Sequence, residues 1–161
     1  MKILATITFI IFTATISAQE MKKELHPDFP IVEGNYQMTS DWSVTLDQKY
    51  NRRIEDGSLV LWRPGFTIWT VIWNLEEDES PLERYNSLRS DISDDAFDIV
   101  EETEPLLRFS YRMTEGSAEN RVSAFYCFAV SSESHVQMAI YFDEETDIEN
   151  ALAIWRSLKP K

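Results

Sequence analysis

Apolar positions follow two different periods along the chain, and the switches between them mark its elements. Trp42, Val44 and Leu46 alternate with polar residues, and residues 50–55 lead to Asp56-Gly57, a two-residue hairpin signal, before residues 58–63. Pro64-Gly65 marks a second tight turn into residues 66–75. Alternation returns at Leu107, Phe109, Tyr111 and Met113 against Arg108, Ser110 and Arg112, and residues 121–130 and 134–142 read as a hairpin around Ser132-Glu133. Two stretches carry the helical period instead. Ser80-Pro81-Leu82-Glu83 combines a cap, a first-turn proline and a capping box ahead of Leu82, Tyr85, Leu88 and Ile92. Thr146-Asp147-Ile148-Glu149 is a second capping box, opening a stripe of Ile148, Ala151, Leu152, Trp155 and Leu158 with Pro160 just beyond.

The order is therefore strands, helix, strands, helix, with tight turns that make the strand pairs antiparallel. Across Pro64-Gly65, Val60 and Trp62 share a face with Trp69, Val71 and Trp73, while Leu59 and Leu61 share the other with Phe66, Ile68 and Ile72. Both faces being apolar, the sheet is expected to be covered on both sides. The predicted class is α+β: an antiparallel sheet with one amphipathic helix on each face, about 80–90 and about 147–159, in an α/β/α sandwich. Trp62, Trp69 and Trp73 are then expected as core beneath a helix, the alternative being an exposed aromatic binding ladder.

This element order, with a final helix ending Ile154-Trp155-Arg156-Ser157-Leu158-Lys159, resembles the PsbP-like and DcrB-like group of small exported α/β/α sandwich domains over residues 42–159. The resemblance implies a non-catalytic binding or accessory module and assigns no functional residue. The DcrB-type lipoprotein cysteine has no counterpart here.

Residues 1–18 have the three parts of a cleavable secretory signal: Lys2, an apolar run over residues 3–16, and Ser17-Ala18 before Gln19. That run falls short of the roughly 20 residues that cross a bilayer. The organisation expected is a signal peptide at 1–18, an extended lead-in at 19–41 with a short strand near 36–38, and a single domain at 42–161. Export without a stable membrane anchor, to the periplasm or the medium, is the localisation this predicts.

Charge and chemistry narrow the function classes. With 15 Lys and Arg against 28 Asp and Glu the net charge is −13, which argues against nucleic acid or an anionic membrane as partner. Cys127 is the sole cysteine, so no intrachain disulfide can form. If Val130 paired with Ser134, His135 would share a face with Cys127, but no nucleophile signature surrounds either, and a packed thiol is expected. Asp91, Asp94, Asp95 and Asp98 offer oxygens for a hard cation without the glycine of a calcium loop. No cofactor or metal is predicted. Glu101, Glu102 and Glu104 are the dense carboxylates a hydrolase could use, yet they form no recognisable acid/base pair.

Two acidic clusters remain, Glu76-Glu77-Asp78-Glu79 and Asp143-Glu144-Glu145, each ahead of a predicted helix whose positive end they complement. Their functional alternative is a docking surface for a basic protein partner, with Glu76, Glu77, Asp78, Asp143, Glu144 and Glu145 as the candidate partner-binding residues. The expectation is a non-enzymatic exported binding or accessory module. An immunity protein or inhibitor that neutralises a basic toxin or hydrolase is the alternative. The intact mass of the exported product should match a chain beginning at Gln19, and a mass that retains residues 1–18 would refute the signal assignment.

Overall fold

The computed structural model describes residues 24–117 and 120–161, so the expected signal segment lies outside the described residues. In chain order the elements are β1 (Ile31–Gln37), β2 (Trp42–Glu55), β3 (Ser58–Arg63), β4 (Phe66–Asn74), α1 (Pro81–Ser90), β5 (Phe97–Glu102), β6 (Leu107–Ser117), β7 (Asn120–Val130), β8 (Ser134–Phe142), α2 (Ile148–Arg156) and β9 (Lys159–Pro160). All the strands belong to one antiparallel sheet in the order β1-β2-β3-β4-β8-β7-β6-β5, with β9 paired to the start of β2.

The α/β/α sandwich expected from the sequence is not formed. The sheet dominates the fold, and its two helices have only ten and nine residues. At about 1.5 Å per residue each is roughly 15 Å long, whereas eight strands about 4.8 Å apart extend over roughly 34 Å. Such helices cannot make layers over a sheet of that width.

The sheet instead encloses its own core by curling. The Trp42 indole N–H donates to Ser134 Oγ at 2.7 Å, although β3 and β4 lie between their strands in the sheet. Inside the curl, Trp42, Val44, Leu46, Leu61, Ile68, Phe125, Cys127, Met138 and Ile140 pack around Ala151, Ile154, Trp155 and Leu158 of the closing segment. Trp155 is fully buried and donates its indole N–H to the Phe128 carbonyl at 3.1 Å. α1 covers only the β6–β7 corner of the convex side, where Tyr85 meets Phe109, Tyr111 and Phe128. Phe109 and Phe128 stack there at 4.5 Å.

Local chemistry sets several boundaries as expected. Asp56 (φ 48°) and Gly57 (φ 83°) both take the left-handed backbone of a tight hairpin. Ser80 Oγ accepts from the Glu83 amide while the Glu83 carboxylate accepts from the Ser80 amide, which is the predicted capping box. The second box does not form. The Asp147 carboxylate is drawn 2.7 Å from the Arg63 guanidinium, and a single 3-10 turn, Glu145–Asp147, precedes α2 with no side-chain cap.

Arg108 and Arg112, the polar positions in the β6 alternation, point into the concave face and are each only 9% exposed. Arg108 pairs with Glu102 at 2.5 Å and donates to the Arg156 carbonyl at the end of α2. Arg112 binds both oxygens of Glu145, at 2.6 and 2.8 Å. With Arg63, these cations fasten the α2 segment to the sheet through charge-assisted hydrogen bonds.

Part of the expected lead-in is structural. β1 pairs along β2, and the buried Asn51 amide accepts from the His26 amide and donates to the carbonyls of His26 and Phe29. Both β1 and β5 carry an irregularity, between Val32 and Gly34 and between Phe97 and Val100.

Trp155→Ala should cost about 3 to 5 kcal/mol, the range for deleting a large core aromatic. Urea unfolding would measure it, and an unchanged midpoint would contradict the packing described.

Candidate functional site

Of the predicted partner-binding residues, Glu76, Glu77 and Asp78 lie exposed in the loop from β4 to α1, and Asp143, Glu144 and Glu145 lie exposed after β8. Asn74 pairs with Ser134 and Phe66 with Phe142, so the two clusters occupy opposite ends of the β4–β8 ladder. At about 3.3 Å per residue that is a separation of roughly 26 Å. They do not form one surface. Some of their charge is also committed locally: Glu145 to Arg112, as above, and Glu79 to Arg84 and the Glu76 amide.

The other sequence candidates separate as well. Val130 pairs with His135 and not with Ser134, because Ser131 and Ser134 close the turn with their own hydrogen bonds. This one-residue shift places His135 on the face opposite Cys127. Cys127 is fully buried, and burial holds its thiol pKa well above the ordinary value. Glu101 accepts from the Tyr85 hydroxyl and from Arg89, each at 2.9 Å, which lowers its pKa. Glu102 is held by Arg108 and Arg156. Among the described residues, no group of three or more His, Cys, Asp or Glu side chains is arranged to hold a metal ion.

The three tryptophans depart furthest from expectation. They do share one face, since Val60 pairs with Trp69 and Trp62 with Thr67. That face is the convex one, and α1 leaves its β3–β4–β8 part uncovered. Trp73 is 57% exposed, and Trp62 and Trp69 are half-buried, so they are not core beneath a helix. Trp62 is partly shielded by the Phe29 ring, edge-on at 4.9 Å, and by the Arg53 guanidinium, 5.0 Å from its centre. Across the sheet from Trp69, the row continues through Ala139 to Tyr126 and Tyr111. The Tyr126 and Tyr141 hydroxyls both donate to Glu115.

At the Trp73 end this face dips into a depression of about 290 Å³ lined by Trp73, Asn74, Glu76, Arg84 and His135. His135 lies directly across the ladder from Trp73 and is 3% exposed. Its Nδ1 is buried with no hydrogen-bond partner among the described residues. Burial, followed by the Arg84 guanidinium and opposed by Glu79, keeps the imidazole pKa below its ordinary value. The ring is therefore neutral at pH 7, and a proton on Nε2 avoids stranding a buried donor at Nδ1. Arg84 is fixed by Glu79, which accepts from Nε at 2.9 Å and Nη2 at 2.6 Å.

Sequence reasoning missed Arg84, Asn74 and His135 as neighbours of Trp73. The available signal was the Trp73-Asn74 step at a strand end beside a charged loop. What was missing was the strand order, which sets β8 rather than a helix against β4.

No family model matches the chain, and no curated protein matches it in sequence. A crystal structure of a protein from Bacteroides thetaiotaomicron VPI-5482 is similar in fold, with a TM-score of 0.62 and 9% identity over 81% of this chain and 49% of that one. The chain thus spans about half the length of that protein, and a likeness at this identity concerns the fold alone.

Because the unfolded chain protonates its histidine near pH 6.5 and the folded chain resists doing so, His135 contributes stability that is full above 6.5 and lost as the pH falls below it. The melting temperature should drop between pH 7 and 5.5, above the range where carboxylates titrate, and His135→Gln should flatten that drop. An unchanged slope in the variant would contradict the buried neutral imidazole.

Proposed function

We propose that this chain is an exported, non-enzymatic binding module whose contact surface is the uncovered aromatic part of its sheet. The observation that carries the reading is the exposure of Trp73 on a face where Trp62 and Trp69 are only half-buried. Large indoles left in water are costly for a lone domain and are the side chains most often found as anchors of a contact. The strands beneath hold them in fixed positions, so little ordering is needed when a partner arrives. The catalytic candidates weighed from the sequence lend no support to an enzyme: Cys127 and His135 face apart, and Glu101 and Glu102 are bound to arginines.

The alternative of an immunity protein or inhibitor would draw on the negative charge, but the roughly 26 Å between the acidic clusters means that a partner of small footprint would meet one cluster at a time. The two readings differ in which residues matter. Immobilised protein should retain a component of the producing organism's envelope or medium. Trp69→Ser with Trp73→Ser should abolish that retention, while Glu77→Lys with Glu144→Lys and the distant Ile54→Ser should leave it intact. Retention that survives loss of both tryptophans, or that fails on charge reversal and with added salt, would overturn the aromatic-face reading.

A further inference from the structure

The depression at the end of the aromatic face has a composition that points to one class of ligand. We propose that Trp73, Asn74, Glu76, Arg84 and His135 form a subsite for an uncharged saccharide ring. This deepens, and rests on, the binding-module reading.

A half-exposed indole offers a broad apolar plane, which suits the C–H face of a pyranose and not a fully hydrated ion. Around it stand groups of both hydrogen-bonding senses: the Asn74 amide, the Glu76 carboxylate, the Arg84 guanidinium and the His135 imidazole. Hydroxyls that each donate and accept are the natural complement of such a mixture. Charge selects against an anionic ligand. The carboxylate of Glu79 already neutralises Arg84, leaving no unpaired cation to attract an anion. His135 supplies the second, independent indication. It is 97% buried, lines the depression, and has no hydrogen-bond partner for its Nδ1 among the described residues. A neutral imidazole carries one donor and one acceptor, and a hydroxyl can satisfy either without changing its charge. At about 290 Å³ the space is that of one small ring, with the rest of a chain free to run along the aromatic face towards Trp69.

The test uses the purified full chain and neutral tetrasaccharides of glucose, mannose, galactose and N-acetylglucosamine, with a sulfated oligosaccharide as the charged probe. Saturation-transfer NMR and titration calorimetry should detect at least one neutral tetrasaccharide. Trp73→Ala should weaken it at least about tenfold, the scale on which an aromatic anchor is lost. Because Trp73 is exposed, its removal leaves the fold in place, and Glu76→Gln should weaken binding in the same direction while Ile54→Ala has no effect. Binding that ignores Trp73→Ala, or that is confined to the sulfated probe, overturns the proposal. If no tetrasaccharide binds while envelope retention still depends on Trp69 and Trp73, the saccharide assignment falls and the binding module stands. If neither is seen, both fall.

Discussion

The hydrogen bond between the Trp42 indole and Ser134 joins strands that the sheet order keeps apart, and the rest of the molecule depends on the curl it records. A flat sheet of these strands would leave Val44, Leu46, Ile68, Met138 and Ile140 facing water. Curled, they close around Trp155, whose own indole N–H is satisfied by the Phe128 carbonyl. Two large aromatics are thus buried without stranding a polar atom, as a close-packed interior requires. The concave side takes α2 as its filling, and the short α1 cannot reach beyond β6 and β7. The open aromatic face is a direct consequence of that division.

Electrostatics supports the same arrangement. In a chain with far more carboxylates than cations, three arginines held against the sheet have acidic partners: Arg63 has Asp147, Arg108 has Glu102 and Arg112 has Glu145. Removing one partner would leave a poorly solvated charge, which is costlier than losing an exposed ion pair. Two clusters of the surplus acids lie at opposite ends of the β4–β8 ladder.

What the sequence disclosed was mostly local. Asp56-Gly57 turns because both residues accept a left-handed backbone, and the Ser80 and Glu83 cap forms because its partners are three residues apart. The sharing of faces by Trp62, Trp69 and Trp73 was legible for the same reason, being a matter of alternation. The failures all involve distant partners. The Thr146 and Glu149 box is lost as α2 starts at Ile148 with Asp147 before it, and the Asp147 carboxylate goes to Arg63, 84 residues away in the chain. Both sides of β6 prove to be buried, the polar one because Glu102 and Glu145 meet its arginines there. Whether Trp73 was core or surface turned on which strands α1 covers, and β8 is inserted between β4 and β7 from far along the chain. No short window of residues contains that information.

The two irregularities in β1 and β5 sit on the outermost strands of the sheet. An open sheet normally ends in a row of free amides and carbonyls that can recruit a further strand from another molecule. Here the shift between Val32 and Gly34 breaks that row on one edge, and the shift between Phe97 and Val100, with Asp98 in a left-handed conformation, breaks it on the other. A neighbouring chain would find no continuous template at either border. The protein can therefore present a wide, aromatic sheet to the outside without inviting its own copies to extend it into a fibril.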